Sequence, residues 1–401
     1  MNVYKDDFEK TVITFFILFG IIFNVMFGPA SIVVFIVSGL CLIVKSNFYL
    51  MYVKCYWQIY LIPILAFLSF IWSEYPIESL KGGIQLMLTT IIAMYVAINI
   101  PFNIFKNTLW ILLFASMICS LLSSNYAIDG LTGEVNLIGV FGSKNYLAFH
   151  SSLSFILGFF FLFNKGSKDK LLGILLSMTS MLVVLKANSV GTVGFLCLSI
   201  LLSSSFIFYQ MIRLDKSVKV FIDVILVVLS VFLGSVFIYL FIHGSLDDMI
   251  YNMGKDPTLT GRTFLWDIGY YLFLEKPILG YGYEGFFRIG NDGAEDIWEI
   301  FHITSRSGFN FHNMYIDTMV EFGSIGLILF VAQLCFFIGL IIRFRYFKFG
   351  SKYHFVLLFF TFLFLQTFLE SGWSNQFTLC QFFVVYFWVV LRDMEFHSYE
   401  E

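Results

Sequence analysis

Two polar side chains in the second half of the chain have types suited to chemistry. Arg262 lies in the segment Gly-Arg-Thr-Phe-Leu-Trp at 261–266, and His312 stands where a polar stretch meets a long apolar run. A planar guanidinium grips two phosphate oxygens at once, which a lysine ammonium cannot do. A neutral imidazole accepts a proton from a hydroxyl near neutral pH. The sequence therefore predicts an anion clamp at Arg262 and a general base at His312.

Both residues also have structural interpretations. An arginine near a membrane surface can bury its alkyl chain and keep its charge in water, and a single histidine at a helix start is often structural. Asp317 and Glu321 share one helix face, but they lie about 140° and 180° around the helix from His312 and are not expected to orient it. They are expected instead to bind a neighbouring helix or an acceptor sugar. His302 and His312 lack a third ligand. Neither a metal nor a cofactor is expected.

Further side chains are candidates for binding a substrate. Lys144 and Lys186 lie at helix ends on the same predicted side as Arg262, and three converging cations would suit a diphosphate. Membrane-surface lysines have the same alternative role as Arg262. The other candidates for contacting the diphosphate or a sugar are Asn145, Trp266, Tyr281, Arg288, Arg306, Asn313 and Tyr315.

Gly280, Gly282 and Gly285 form a G-x-G-x-x-G pattern. A dinucleotide site would need a preceding strand and a following helix in a βαβ unit. Neither is predicted here, so a tight turn that lets two backbone segments approach closely is the better interpretation. A backbone nest that helps to hold an anion is the remaining alternative.

The elements that position these residues are membrane helices. Of 401 residues, 59% are hydrophobic and 13% are charged, and the mean hydropathy is +0.85. Apolar runs of about 15–23 residues recur, close to the roughly 20 that a bilayer core needs. The chain is predicted to be an all-α polytopic membrane protein with about twelve transmembrane helices. The predicted spans are 11–27, 30–44, 56–72, 84–100, 108–123, 146–163, 171–186, 190–208, 220–242, 313–342, 355–369 and 377–391.

Lys and Arg set the predicted orientation. With the N-terminus inside, 16 of the 24 basic residues fall on the cytoplasmic side, and both termini are cytoplasmic. The chain then divides into an N-terminal bundle of about nine helices at 1–242, an outer loop at 243–312, and C-terminal helices with a tail at 313–401. A loop this long should carry function. Apolar residues between 264 and 274 predict a helix in the interface plane that Lys276-Pro277 ends.

The ordered pattern GRTFLW, EKPILGYGYEGF and HNMYIDTMVEFGSIGL, at 261–266, 275–286 and 312–327, resembles the signature of the O-antigen ligase and O-antigen polymerase superfamily. GVFGSKNYLAF at 139–149 extends the resemblance more loosely. The resemblance implies a GT-C-like helical fold and metal-independent glycosyl transfer on the periplasmic face of the bacterial inner membrane. Arg262 and His312 match its functional arginine and histidine. Many members carry Ser-Arg where this chain has Ser189-Val190, so Lys144, Lys186, Arg288 or Arg306 is expected to replace the missing cation.

The resemblance leaves three functions open. The preferred one is polymerisation of undecaprenyl-pyrophosphate-linked repeat units into O-antigen or a related surface polysaccharide. The alternatives are a ligase that moves glycan to the lipid A core and a transporter of lipid-linked glycans. A transporter should show paired repeats and midplane charges, which this sequence lacks. Expected partners are the lipid-linked donor and acceptor, the bilayer and a chain-length regulator, and no nucleic acid.

Overall fold

The structure of the protein is a computed structural model, and it describes residues 2–46, 50–123, 125–128, 133–164, 166–211, 218, 261–343 and 351–397. The predicted span 220–242 and the start of the predicted outer loop lie outside these residues. Within them the chain is overwhelmingly helical, which confirms the prediction of an all-α membrane protein.

Among the residues that the structure describes, the N-terminal part contains ten α-helices. They are α1 (Asn2–Ile22), α2 (Asn24–Phe27), α3 (Pro29–Lys45), α4 (Leu50–Cys55), α5 (Leu61–Leu68), α6 (Pro76–Asn99), α7 (Phe102–Ser123), α8 (Lys144–Leu162), α9 (Ser167–Ala187) and α10 (Val190–Met211). Short 3₁₀ helices cover Trp57–Tyr60, Ser69–Ile71 and Gly139–Phe141. A small antiparallel hairpin joins α7 to α8: β1 (Tyr126–Ile128) pairs with β2 (Val135–Leu137), and Tyr126 lies opposite Leu137.

The described ranges from residue 261 onward add five helices: α11 (Arg262–Glu275), α12 (Asp292–Ile300), α13 (Met314–Arg343), α14 (Ser351–Gln366) and α15 (Leu379–His397). Helix α11 ends at Lys276, which confirms the stop predicted at Lys276-Pro277. Each predicted span within the described residues overlaps a helical segment.

Six of the described helices are long and apolar enough to cross a bilayer, namely α6, α7, α8, α9, α10 up to Tyr209, and α13. Three shorter apolar segments, Pro29–Lys45, Trp57–Ile71 and Ser351–Gln366, accompany them. The segment Trp57–Ile71 is divided into a 3₁₀ turn, α5 and a second 3₁₀ turn. Pro63 lies in the first turn of α5, where its missing N–H leaves no helical bond unmade. The total of about twelve spans and the GT-C-like arrangement stay predictions.

Helix α15 forms the centre of the bundle. Its residues from Leu379 to Leu391 are buried, and aromatic rings from neighbouring helices pack around them. Phe105 of α7 stacks on Tyr386 with ring centroids 4.1 Å apart, and Phe336 of α13 stacks on Trp388 at 4.5 Å. Such rings bury large apolar areas in preferred geometries. Met314 N donates to Thr367 O at 2.9 Å, which fixes the loop between α14 and α15 against the start of α13.

Helix α13 is broken at Gly323, whose φ of 62° and ψ of −155° are not helical. The break leaves helical carbonyls and amides without their usual partners, and the turn at 277–282 supplies replacements. Tyr281 N donates to Val320 O at 2.8 Å and Gly282 N to Glu321 O at 2.9 Å. In return, backbone amides of α13 donate to two carbonyls of the turn: Ser324 N to Pro277 O at 2.8 Å and Ile325 N to Ile278 O at 3.4 Å.

This contact explains the G-x-G-x-x-G pattern. Gly280 and Gly282 have φ values of 65° and 93°, which favour glycine. A Cβ on Gly280 would lie 2.4 Å from Val320 O. The prediction of a tight turn that allows close backbone approach is confirmed. The turn and the broken helix are one structural unit in which buried polar backbone groups satisfy each other.

Candidate active site

One carboxylate contacts both Arg262 and His312. Glu370 lies in the loop between α14 and α15, and its Oε1 accepts a hydrogen bond from Arg262 Nη2 at 2.8 Å. Its Oε2 lies 3.0 Å from His312 Nδ1. The side chain of Arg262 is 15% exposed, that of Glu370 is 22% exposed and that of His312 is 26% exposed. All three are therefore largely shielded from solvent. They form a guanidinium–carboxylate–imidazole triad.

The local sequence places Arg262 at this point. Gly261, with φ of 79°, precedes α11, and Arg262 is the first residue of the helix. Arg262 Nη1 also donates to Leu369 O at 2.8 Å, so the guanidinium grips two adjacent residues of the α14–α15 loop. One turn later Trp266 Nε1 donates to Phe311 O at 2.9 Å. Helix α11 is thereby fixed to both segments that supply the triad.

His312 occupies a constrained junction. Its φ of 50° is left-handed, and its N–H donates to Asn310 Oδ1 at 2.9 Å. Asn313 Oδ1 accepts from Tyr315 N at 3.0 Å and Ile316 N at 3.2 Å, which caps the start of α13. Asn313 Nδ2 donates to Phe368 O at 3.2 Å. The imidazole is thus held beside the α14–α15 loop by the backbone on both sides of it.

The electrostatics favour a charged Glu370. Burial raises the pKa of its carboxyl, but His312 and Arg262 more than offset burial, and the pKa lies below its usual value. A carboxylate accepts hydrogen bonds and cannot donate them. It therefore fixes the imidazole hydrogen on Nδ1 and leaves Nε2 as the nitrogen that can take a proton.

A cavity of about 360 Å³ lies against this triad. Arg262 and His312 line it together with Lys144 and Asn145 at the start of α8, and Phe309 contributes an aromatic wall. Four of the residues proposed from sequence therefore meet in one place. Ser143 caps α8 by accepting from Tyr146 N at 3.1 Å. The N-terminus of α8 presents backbone N–H groups and a partial positive charge, which suit an anion.

The remaining candidates lie elsewhere. Lys186, exposed at the end of α9, does not line the cavity, and Arg288 and Arg306 line a second one of about 610 Å³. Arg288 forms an ion pair with Glu284, and Arg306 Nε lies 3.1 Å from Glu295 Oε2.

Four aromatic or amide candidates line neither cavity, namely Trp266, Tyr281, Asn313 and Tyr315. Trp266 donates its indole N–H to Phe311 O, and Asn313 donates its amide NH₂ to Phe368 O. Tyr281 donates to Glu275 Oε2 at 2.5 Å, and burial together with Glu275 raises the pKa of its phenol. The ring of Tyr315 packs on Phe330 and Phe368 with centroids 5.4 and 5.3 Å away. These four side chains pack around the site and do not line either cavity.

Glu370 is the functional residue that sequence reasoning missed. It follows Phe-Leu in a short loop and belongs to no pattern. Helix geometry separates Asp317 and Glu321 from His312, and Asp317 Oδ1 instead accepts from Phe311 N at 3.0 Å. The carboxylate that contacts His312 comes from the loop between α14 and α15.

Comparison with known proteins identifies the family of this chain. The family described as O-antigen ligase matches residues 153–331. The exopolysaccharide production protein ExoQ of Rhizobium meliloti (strain 1021) is 32% identical over 322 residues, which cover 78% of this chain and 71% of that protein. The chain belongs to the O-antigen ligase and O-antigen polymerase superfamily. Members of this superfamily are multi-pass membrane proteins that act in surface polysaccharide assembly, as glycosyltransferase-like enzymes.

The superfamily match includes Arg262 and His312 and ends before Glu370. It also includes Ser189-Val190, where the resemblance described above implies Ser-Arg. Ser189 Oγ donates to Asn145 Oδ1 at 3.2 Å, and a Cβ on Gly191 would lie 2.8 Å from a Leu369 side-chain atom. The position of the missing arginine is therefore beside both Asn145 and the loop that Arg262 grips.

Proposed function

We propose that this chain is an integral membrane glycosyltransferase that polymerises undecaprenyl-pyrophosphate-linked oligosaccharide repeat units on the periplasmic face of the inner membrane. The observation that carries the proposal is the triad of Arg262, Glu370 and His312 on the wall of a cavity that also contains Lys144. This arrangement combines a group that can take a proton with cations that can hold a diphosphate.

In the proposed step, a hydroxyl oxygen of the acceptor sugar attacks the anomeric carbon of the donor glycan. The new glycosidic bond forms as the bond from that carbon to the diphosphate oxygen breaks, with inversion at the carbon. His312 Nε2 takes the hydroxyl proton, and the bonding electrons leave with undecaprenyl pyrophosphate. The diphosphate is already a good leaving group, so the step needs no ATP. The protein contributes alignment, proton removal and charge stabilisation.

Arg262 and Lys144 are proposed to hold the diphosphate. Arg262 has five N–H donors, of which the contacts to Leu369 and Glu370 use two. Lys144 and the N-terminus of α8 line the same cavity. Because Asn145 contacts Ser189, Lys144 is close to where the superfamily's second arginine would stand. We therefore assign the replacement cation to Lys144 and not to Lys186, Arg288 or Arg306.

The name of the relative ExoQ supports a polymerase. ExoQ is named for exopolysaccharide production, and an exopolysaccharide is a polymer built from repeats. The second candidate is a ligase that transfers finished glycan to the lipid A core, and the family description O-antigen ligase favours it. Both reactions use the same donor chemistry, so the site described above serves either. They differ in the acceptor.

The deciding experiment is to analyse the surface glycan made by a strain in which the gene for this chain is deleted. Loss of a polymerase leaves single repeat units on the normal acceptor, whereas loss of a ligase leaves lipid-linked polymer without transfer. Complementation with the wild-type chain should restore long polymer, and a chain with Arg262→Ala should not. Normal polymer length and normal transfer in the deletion strain would refute both functions.

A further inference from the structure

A second cavity, of about 610 Å³, lies next to the one that contains the triad. This volume is within the range of small-molecule sites in proteins, roughly 300–1,000 Å³. Its lining combines carboxylates with aromatic rings, including Glu284, Asp317, Glu321, Phe287 and Phe309. The mechanism proposed above uses none of its carboxylates.

Two of the carboxylates in this cavity are held in place by backbone amides. Glu321 Oε1 accepts from Glu284 N at 3.0 Å, and Asp317 Oδ1 accepts from Phe311 N at 3.0 Å. Asp317 Oδ2 is buried beside the hydroxyl of Ser371, but within the described residues neither Oδ2 nor Ser371 Oγ forms a hydrogen bond of normal geometry. A buried carboxylate oxygen without a well-placed donor is costly. A ligand that brings hydrogen-bond donors would remove that cost.

The two cavities share one wall. Phe309 lines both of them, Asn310 and Phe311 line the second, and His312 lines the first. The partition between them is therefore the short segment 309–312 that carries the proposed base. A molecule bound in the second cavity needs only to reach past this segment to approach His312.

We propose that the second cavity binds the hydroxyl-rich end of the acceptor glycan. This inference rests on the proposed glycosyl transfer and adds the acceptor's place in it. Sugar hydroxyls donate to carboxylates such as Asp317 and Glu321, and aromatic rings such as Phe287 cover the apolar faces of a sugar. The lining also contains Arg288 and Arg306, but each is paired with a glutamate, Glu284 and Glu295 respectively. A diphosphate is therefore less suited to this cavity than to the first one, because the carboxylates of the lining outnumber its arginines. The donor diphosphate and the acceptor sugar thus occupy separate cavities on either side of His312.

Binding to the purified full-length protein in lipid nanodiscs tests the inference. The probe is one oligosaccharide repeat unit, taken from the deletion strain and freed from its lipid diphosphate. Saturation-transfer NMR measures its dissociation constant. Asp317→Asn and Glu321→Gln each keep an oxygen for the backbone amide and remove the carboxylate charge. Each should weaken binding of this probe by about tenfold, the effect of one hydrogen bond to a charged group. Glu299→Gln, at an exposed carboxylate that lines neither cavity, is the matched control.

Inorganic pyrophosphate is the complementary probe. Arg262→Ala and Lys144→Ala should weaken its binding and leave the oligosaccharide unaffected, while Asp317→Asn and Glu321→Gln should do the reverse. The inference is wrong if the wild type does not bind the oligosaccharide at millimolar concentration. It is also wrong if the Asp317 and Glu321 variants bind it normally, or if Arg262→Ala abolishes its binding. These results would leave the proposed function intact, because the glycan of the deletion strain tests that function separately.

Discussion

Replacing Glu370 with glutamine should change which nitrogen of His312 carries hydrogen. Arg262 only donates, so the amide oxygen of the new side chain must face Nη2, where Glu370 Oε1 accepts at 2.8 Å. The amide NH₂ then faces His312 Nδ1, which lies 3.0 Å from Oε2 in the wild type. An NH₂ group forces Nδ1 to accept, and the imidazole hydrogen moves to Nε2. The nitrogen that should take the acceptor's proton is then already occupied.

The expected loss is that of a positioned general base. Such a base contributes about 10²–10⁴ in rate, or roughly 3–5 kcal/mol at about 1.4 kcal/mol per decade. Glu370→Gln should therefore lower the rate of polymer formation by that factor, measured with purified enzyme and lipid-linked repeat units in proteoliposomes. Pyrophosphate binding should be nearly unchanged, because Arg262 keeps an acceptor. Glu299→Gln, an exposed substitution of the same kind, should retain the full rate.

The pattern across variants separates positioning from simple packing. Glu370→Asp keeps the charge, keeps the hydrogen on Nδ1 and should recover part of the lost rate. A Glu370→Gln enzyme that polymerises within about threefold of the wild type, well under the range for a lost base, would refute the tautomer argument. An enzyme that loses pyrophosphate binding along with its rate would show instead that Glu370 acts mainly by holding Arg262.

The other predictions concern the base, the cation, the broken helix and acid stability. His312→Gln can donate to a sugar but takes no proton, so its polymer formation should fall by about 10²–10⁴ with normal abundance. Lys144→Ala should weaken pyrophosphate binding by about tenfold, whereas Lys186→Ala should not change it. Gly323→Ala places a Cβ 2.4 Å from the turn and strains the backbone, so the melting temperature in detergent should fall, consistent with about 1–3 kcal/mol of strain. The pKa of Glu370 is lowered in the fold, so its charged carboxylate should stabilise the protein above the ordinary glutamate pKa. This contribution to the free energy of unfolding should be lost as pH falls through the lowered pKa. Glu370→Gln should not show that loss.

The helices could be predicted from sequence because an apolar run in a bilayer must satisfy its own backbone, and only a helix does so within one segment. Arg262 and His312 were candidates because both belong to the long polar loop, Arg262 within it and His312 at its end. Glu370 could not, since 58 residues separate it from His312 and its place depends on how α14 and α15 pack. The interior roles of Trp266 and Asn313 were missed for a similar reason, since their partners are main-chain carbonyls that carry no sequence signal.

The break in α13 at Gly323, which the turn at 277–282 bridges by hydrogen bonds, limits where related sequences can gain or lose residues. Four main-chain hydrogen bonds join 277–282 to 320–325, and main-chain bonds tolerate many side chains but not a shift in register. An inserted residue inside either segment would leave polar backbone groups unpaired in an apolar setting. Length variation among relatives should therefore accumulate between 283 and 311, around α12, while 277–282 and 320–325 stay free of gaps. An alignment of relatives could test this expectation without a single experiment.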